Sequence, residues 1–262
     1  MDLFRRIERY YDEAPRSAAR VEEYGSLRLF VGTGPWPYYG RPSGADGPLA
    51  DDTAALLARQ RELGVPQALE WVEEIAPSLA QAAAGAGLVV RRHPLLVLQG
   101  LQDVLPVPGL SMRIAAADDP GVGAARSAIH VGFANGGVEV SAVGLSERDA
   151  ELQAGDGSAG AFLRDQIRAG RIVMAIADMG QGPIGGGTAN PRADVAELTG
   201  IATLPAFRRR GVGLAITAAL VEEVGRRGVD VVFLSAADDD VARIYERAGF
   251  RRVAHACIAQ AT

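Results

Sequence analysis

The apolar run VAELTGIATL at 195–204 stops at Pro205, and a helical pattern, LAITAALVEEVGRRG, begins at 214. Proline cannot donate to a ladder, so it closes the strand. A strand that turns into a helix across so short a loop needs a sheet with helices packed on it. The pattern extends on both sides. Strands are expected at 111–117, 171–178, 194–204, 229–236 and 251–259, and helices at 119–134, 160–169, 211–226 and 239–248. A turn is expected around Gly185-Gly186-Gly187, and the stretch 144–158 is rich in Gly, Ser and Asp. The fold class that follows is α+β, an α/β sandwich with helices flanking a sheet.

The first part of the chain echoes the last. ALEWVEE at 68–74 reads as a strand, 77–86 as a helix rich in small residues, and GAGLVVRRHPLLVL as a second strand. Gly87-Leu88 and Gly249-Phe250 then fall at the same point of two similar units, 162 residues apart. The same offset carries the arginine-rich stretch at 208–213 into the neighbourhood of SGADGP, which has neither arginines nor G-x-G. A duplicated unit whose first copy has degenerated is expected. With two prolines and two glycines in QGLQDVLPVPGL, the boundary is placed at 105/106, giving domains 1–105 and 106–262. WPYY at 36–39 reads as interface packing between the halves, with a substrate-shaping aromatic loop as the alternative.

Composition removes several classes of function. A net charge of −5 with a pI of about 5.3 lacks the basic footprint of a nucleic-acid protein. No apolar run approaches the ~20 residues of a membrane span. The charged start, MDLFRRIERYYDE, has no apolar signal core, so a cytoplasmic protein is expected. With one cysteine, Cys257, there is no disulfide framework or cysteine metal cluster, and His93, His130 and His255 show no metal spacing. All 27 basic residues are arginine, so neither a Schiff base nor a Walker lysine is available.

What remains is FRRRGVGLA at 207–215. The first turn of a helix leaves N–H groups without intrahelical acceptors, and the helix dipole adds positive potential. Gly211 and Gly213 remove side chains where a backbone nest could close on an anion, and Arg208, Arg209 and Arg210 add charge. These features point to a phosphate-bearing cofactor. A dinucleotide fingerprint would need a small residue at Ile216, although Asp230 stands at a ribose-binding distance along the chain.

R-R-R-G-V-G at 208–213 resembles the [QR]-x-x-G-x-[GA] acetyl-CoA loop of the GNAT N-acetyltransferase superfamily, and VARIYERAGF at 241–250 resembles that family's last-helix signature. The resemblance covers about 110–262, with the first half similar to the degenerate copy of tandem members. It implies the GNAT acyl-CoA N-acyltransferase fold, a mixed sheet whose fourth and fifth strands, here 194–204 and 229–236, part to admit acetyl-CoA. Gly200 would mark the bulge that opens them.

By the same resemblance, backbone groups of Ile201, Ala202 and Thr203 would pair with the pantetheine arm. The loop Arg208, Arg209, Arg210, Gly211, Val212, Gly213, Leu214 and Ala215 would hold the diphosphate. Glu197 would deprotonate the acceptor amine, and Tyr245 would donate a proton to the departing thiolate. Alternation along a strand would put Glu197 on one face with Thr199, Ile201 and Thr203. An edge carboxylate and a core tyrosine are the structural alternatives. Asp238 stands where many members carry Asn, and reads as a helix N-cap. The activity implied is acetyl transfer to an amine of a small molecule or peptide in a ternary complex, without a metal; a homodimer is among the expectations. The alternatives are an idle acyl-CoA sensor or scaffold and, further off, a nicotinamide oxidoreductase.

Overall fold

The computed structural model describes every residue except 1, 2, 36, 37, 45–48, 156 and 262. Two compact units emerge: Met1–Leu95 with Val253–Thr262, and Leu96–Arg252. The first is built from α1 (Leu3–Glu13), β1 (Ala19–Tyr24), β2 (Leu27–Gly32), β3 (Gly40–Pro42), α2 (Leu49–Glu62), β4 (Ala68–Val72), α3 (Leu79–Gly85) and β5 (Val89–Leu98). The second carries β6 (Ser111–Ile114), α4 (Val122–Ala134), α5 (Leu145–Ala154), α6 (Gly157–Arg168), β7 (Val173–Asp178), β8 (Pro183–Arg192), β9 (Val195–Thr203), α7 (Val212–Arg226), β10 (Val231–Ser235), α8 (Asp239–Arg247) and the start of β11 (Phe250–Gln260).

In the first unit the strands run in the order β1-β2-β3-β4-β11-β5. β3 and β4 are parallel, and Ala256–Gln260 of β11 pairs antiparallel with Ala68–Val72. Trp71, Leu27, Leu29, Leu56, Leu69 and Leu79 form its core, all within 1% of full burial. Each such side chain contributes roughly 1.5–3 kcal/mol. Gln60 closes the α2–β4 turn by exchanging hydrogen bonds with both backbone groups of Ala68, at 2.9 and 3.0 Å.

In the second unit the order is β10-β9-β8-β7-β6, parallel between β10 and β9 and antiparallel elsewhere. Helices α4 and α6 cover one face, where Ala125 and Leu163 cluster with Met174 and Ile176 of β7. Helix α7 covers the other through Ile216, Leu220 and Val224.

One sequence expectation is corrected here, and one stretch without an assigned element is filled. Gly185–Gly187 form no turn; they lie inside β8, all three paired with β7 and Gly185 and Gly186 paired with β9 as well. Their glycines answer to crowding rather than to chain reversal. A Cβ on Gly186 would stand 2.8 Å from the Ala175 carbonyl oxygen, and one on Gly187 would stand 2.7 Å from Ile201. The Gly-, Ser- and Asp-rich stretch 144–158 contains α5. The Glu147 carboxylate reaches back to the Gly144 N–H at 2.6 Å, half of a capping box that starts the helix without a Ser or Thr.

Candidate active site

The site is organised by the way β9 leaves β10. Their parallel register runs Val231↔Val195, Val232↔Ala196, Phe233↔Glu197, and goes no further, while β9 continues to Thr203 beside β8. Gly200, with φ +64°, sits where the β8–β9 register slips between Gly186↔Ala202 and Thr188↔Thr199. The extra residue on β9 is a bulge, and a bulge bends its strand. Beyond Glu197, β9 therefore turns away from β10 and presents an edge over Leu198–Thr203. Ile201, Ala202 and Thr203, the residues expected to pair with pantetheine, lie on that stretch.

The bulge also changes which side chains share a face. Glu197, Thr199 and Ala202 stand opposite Asn190, Thr188 and Gly186, which share one face of β8. A Cβ on Gly186 would point at Ala125 and Ile129 of α4, whereas one on Gly187 would meet Ile201 and Ile216 of α7. Glu197 and Thr199 thus share the α4 side with Ala202, and Ile201 and Thr203 turn toward α7. The expectation that Glu197, Ile201 and Thr203 lie together is corrected, because one inserted residue reverses the alternation. On the α4 side the Thr199 hydroxyl bonds to the Thr188 hydroxyl at 2.8 Å and accepts from Asn190 Nδ2 at 2.9 Å. The carboxylate of Glu197, half-buried, ends this polar file at the point where the strands part.

After Thr203 the chain makes a single turn at Pro205–Phe207 and enters the arginine loop. Arg209 (φ +61°) and Gly211 (φ +87°) both adopt the left-handed conformation, and Gly211 is the N-cap of α7. Among the described residues Arg209 is one of two non-glycine residues with positive φ, a strain that collects at ligand sites. The first backbone bond of α7 runs from Ala215 N–H to Gly211 O at 3.0 Å, so the amides of Val212, Gly213 and Leu214 precede the helical ladder. A Cβ built on Gly213 meets nothing within 4 Å. The first turn of α7 therefore leaves three amides outside the ladder and open space beside Gly213, features that suit a phosphate.

The three arginines do not behave alike. Arg209 and Arg210 are exposed, and Arg210 lies 5.4 Å from the ring centre of Phe207. Arg208 turns inward: its guanidinium donates to the carbonyls of Gly132 (2.8 Å), Asn135 (2.6 Å), Glu139 (3.2 Å) and Thr203 (3.4 Å).

Tyr245 of α8, like Ile201, Phe207 and Leu214, is partly buried against the apolar core of the second unit, with its ring edge-on to Phe250 at 6.0 Å. Burial pushes its phenol up to about 12, so the hydroxyl stays protonated. Asp238 caps α8 through Val241 N–H at 2.9 Å, as the sequence indicated. His130 is exposed and bonded through Nδ1 to Glu151, and His255 lies beside Glu73 and Glu74. Among the described residues no group of three or more His, Cys, Asp or Glu is placed to hold a metal ion, and no helix is long and apolar enough to cross a membrane. Trp36 and Pro37 of WPYY, and 45–48 of SGADGP, lie outside the described residues.

Residues 145–250 match the model of the acetyltransferase (GNAT) family. That segment is a GNAT acetyltransferase domain. The fold of the chain is that of a GCN5-related N-acetyltransferase from Kribbella flavida, with a TM-score of 0.72 at 20% identity over 100% of this chain and 96% of that one. A functionally unknown conserved protein from Staphylococcus epidermidis superposes with a TM-score of 0.61 at 15% identity, covering 95% of this chain and 96% of that one. A tandem GNAT protein from the clavulanic acid biosynthesis pathway gives 0.55 at 16%, over 90% of this chain and 78% of that one. The tandem type expected from the internal echo is thus shared with a solved GNAT protein. No curated protein matches the chain in sequence. At these identities the solved structures speak for the fold, and the GNAT acyl-CoA N-acyltransferase architecture is the one present.

Proposed function

We propose that this GNAT protein is an acetyl-CoA-dependent N-acetyltransferase acting on an amine of a small molecule or peptide. The observation that carries the reading is the parting of β9 from β10 after Glu197, with the N-terminus of α7 open above Gly213 at the end of the same strand. Acetyl-CoA supplies an activated thioester carbonyl. The amides of Arg209–Ala215 hold its diphosphate, and the Ile201–Thr203 edge takes the pantetheine amides as an added strand would.

Glu197 faces the α4 side at the parting point and takes the proton that the acceptor amine must lose before its lone pair can attack. As the new C–N bond forms and the C–S bond breaks, a β9 backbone amide donates to the carbonyl oxygen. Tyr245 donates a hydrogen bond to the departing sulfur, which takes up the second proton that the nitrogen sheds as the amide forms, so that coenzyme A leaves as its thiol. Its phenol is a weaker acid than a free tyrosine, and desolvation acts on both partners, since it also raises a buried thiol above its usual ~8.5. Attack within a ternary complex needs no protein nucleophile, and Cys257 is buried in the first unit.

Two measurements test this. Titration calorimetry with acetyl-CoA should show saturable binding, and NAD should show none; no binding of acetyl-CoA at millimolar concentration overturns the reading. A thiol-release screen across small amines, aminoglycosides and peptides should then find turnover. Binding without turnover on any acceptor class would instead identify an acyl-CoA sensor.

A further inference from the structure

Arg208 joins stretches of chain far apart in sequence. Its carbonyl partners lie on the last turn of α4 (Gly132), at the C-cap of that helix (Asn135), in the connector to α5 (Glu139) and at the end of β9 (Thr203). A guanidinium has five N–H donors, and four are engaged by these acceptors. The arrangement follows from elementary electrostatics. The C-terminal turn of α4 leaves carbonyls without intrahelical donors at the negative end of the helix dipole, and a cation there satisfies both. Burial lowers the Arg208 pKa from its usual value, as expected of a charge surrounded by dipoles rather than water. A second bond reinforces the clamp: Ala206 N–H donates to Val143 O at 3.0 Å, so both ends of the connector are fixed to the loop that follows β9.

Helix α4 lies on the side toward which Glu197 faces. Gly132 approaches Ala202 so closely that a Cβ there would stand 2.9 Å from the Ala202 Cβ, and Ala202 shares its face with Glu197. An amine that gives its proton to Glu197 must arrive on this side, so the α4–α5 connector borders its approach. The same turn, through Val131 and Asn135, walls a cavity of about 400 Å³ that Glu147 and Glu151 also line.

We propose that Arg208 is a positioning residue for the acceptor side: its guanidinium fixes the α4–α5 connector against β9 and the anion loop and does not hold the diphosphate. This rests on the acetyltransferase reading above. It also divides the arginine run: Arg208 holds the connector, whereas Arg209 and Arg210 are exposed, Arg210 lying over Phe207 with a long bond to the Ala206 carbonyl.

The test compares Arg208→Gln and Arg208→Lys with Arg209→Gln in the full chain. Three quantities are read: acetyl-CoA affinity at low and high salt, KM and kcat for the best amine of the screen, and backbone hydrogen exchange over 135–144. In both Arg208 variants acetyl-CoA affinity should stay within about threefold of the parent with the same salt dependence. KM for the amine should rise about tenfold, a loss of the order of one charge-assisted contact, with a smaller change in kcat. Exchange over 135–144 should quicken. Lysine should not rescue, because a single ammonium cannot span four carbonyls.

The proposal is overturned if Arg208→Gln weakens acetyl-CoA by about tenfold or more, Arg208→Lys restores it, and exchange over 135–144 is unchanged. Should the parent protein bind no acetyl-CoA, the functional reading fails on its own. The exchange measurement then decides the clamp: quickened exchange in the lysine variant supports it, and parental exchange overturns it.

Discussion

The chain contains the same β-α-β-α-β path twice, β3-α2-β4-α3-β5 and β9-α7-β10-α8-β11, and among the described residues only in the second does a long first strand part from its parallel partner. Both begin with a parallel strand pair, and in both the second helix ends in a left-handed glycine, Gly87 at φ +87° and Gly249 at φ +100°. They differ where the first two strands meet. In the second copy a nine-residue strand pairs for three residues and then departs. In the first copy the strand has three residues and one paired position, Gly40↔Leu69. A Cβ on Gly40 would stand within 2.8 Å of Leu69 and Leu56, so apolar side chains fill the space. Beside it Arg41, 4% exposed, bonds to Glu70 at 2.9 Å, lies 3.8 Å from Glu8 and stacks 3.9 Å above Tyr11. A duplicated path thus kept its topology and caps, while the side chains at the strand junction decided whether it packs or opens.

The comparison can be broken most forcefully at the carboxylate of the open copy. Glu197→Gln should cut kcat by about a hundredfold or more at neutral pH while acetyl-CoA affinity holds, since general-base contributions run from ~10² to 10⁴. Unchanged turnover would remove Glu197 from the chemistry and leave the wedge a binding feature. Next come two glycines. Gly213→Val meets open space, so stability should hold while acetyl-CoA affinity falls by about tenfold or more through blocked access. Gly40→Val meets packed leucines and should do the reverse, costing ~1–3 kcal/mol of unfolding free energy with acetyl-CoA affinity unchanged. Matching effects from both would show that the copies are not opposites. Calorimetric stoichiometry sharpens the same point: one acetyl-CoA per chain is expected, and two would reopen the first copy.

Much of this contrast was legible in the sequence. The strand–proline–arginine–glycine–helix junction at 195–226 fixed the β-α-β path because every part of it is contiguous. Glu197, Ile201–Thr203 and the 208–215 loop follow one another on a single strand and turn, so their order along the site could be read directly. What escaped depended on distant residues. Gly185–Gly187 read as a turn because glycine usually punctuates a chain, whereas here Ala175, Ile201 and α4 leave no room for side chains. The reversal of face after Gly200 required the β8 register. Arg208 is indistinguishable from its neighbours until its partners, more than 60 residues earlier, are located. Helix α5 escaped because LSERDAELQA has few apolar residues and glycines at its flanks.

Tyr245 offers a finer test, through pH. With its phenol held up to about 12, loss of its proton cannot produce a basic limb in kcat anywhere near neutral pH. The profile should stay flat on the alkaline side to about pH 10, for the parent and for Tyr245→Phe alike, with Tyr245→Phe lower throughout. A fall between pH 8 and 10 that Tyr245→Phe abolished would show a phenol far more acidic than this packing allows.

The smallest effect belongs to the closed copy and concerns stability alone. Glu22 of β1 accepts from Arg59 of α2 at 2.9 Å and from Arg20 at 2.8 Å, and the Arg59 bonds hold its carboxyl down at about 2. A carboxyl lowered in the folded state stabilises fully above its unfolded value, near 4.5, and the contribution is lost as pH falls toward 2. The pair is largely solvated, so the contribution is modest. Glu22→Gln should therefore lower the melting temperature slightly at pH 7, and the gap from the parent should close by pH 2. A gap that persisted at pH 2 would assign the loss to packing of β1 on α2 instead of to charge. No corresponding change is expected in acetyl-CoA affinity at either salt concentration, because Glu22 belongs to the copy whose strand junction is already filled.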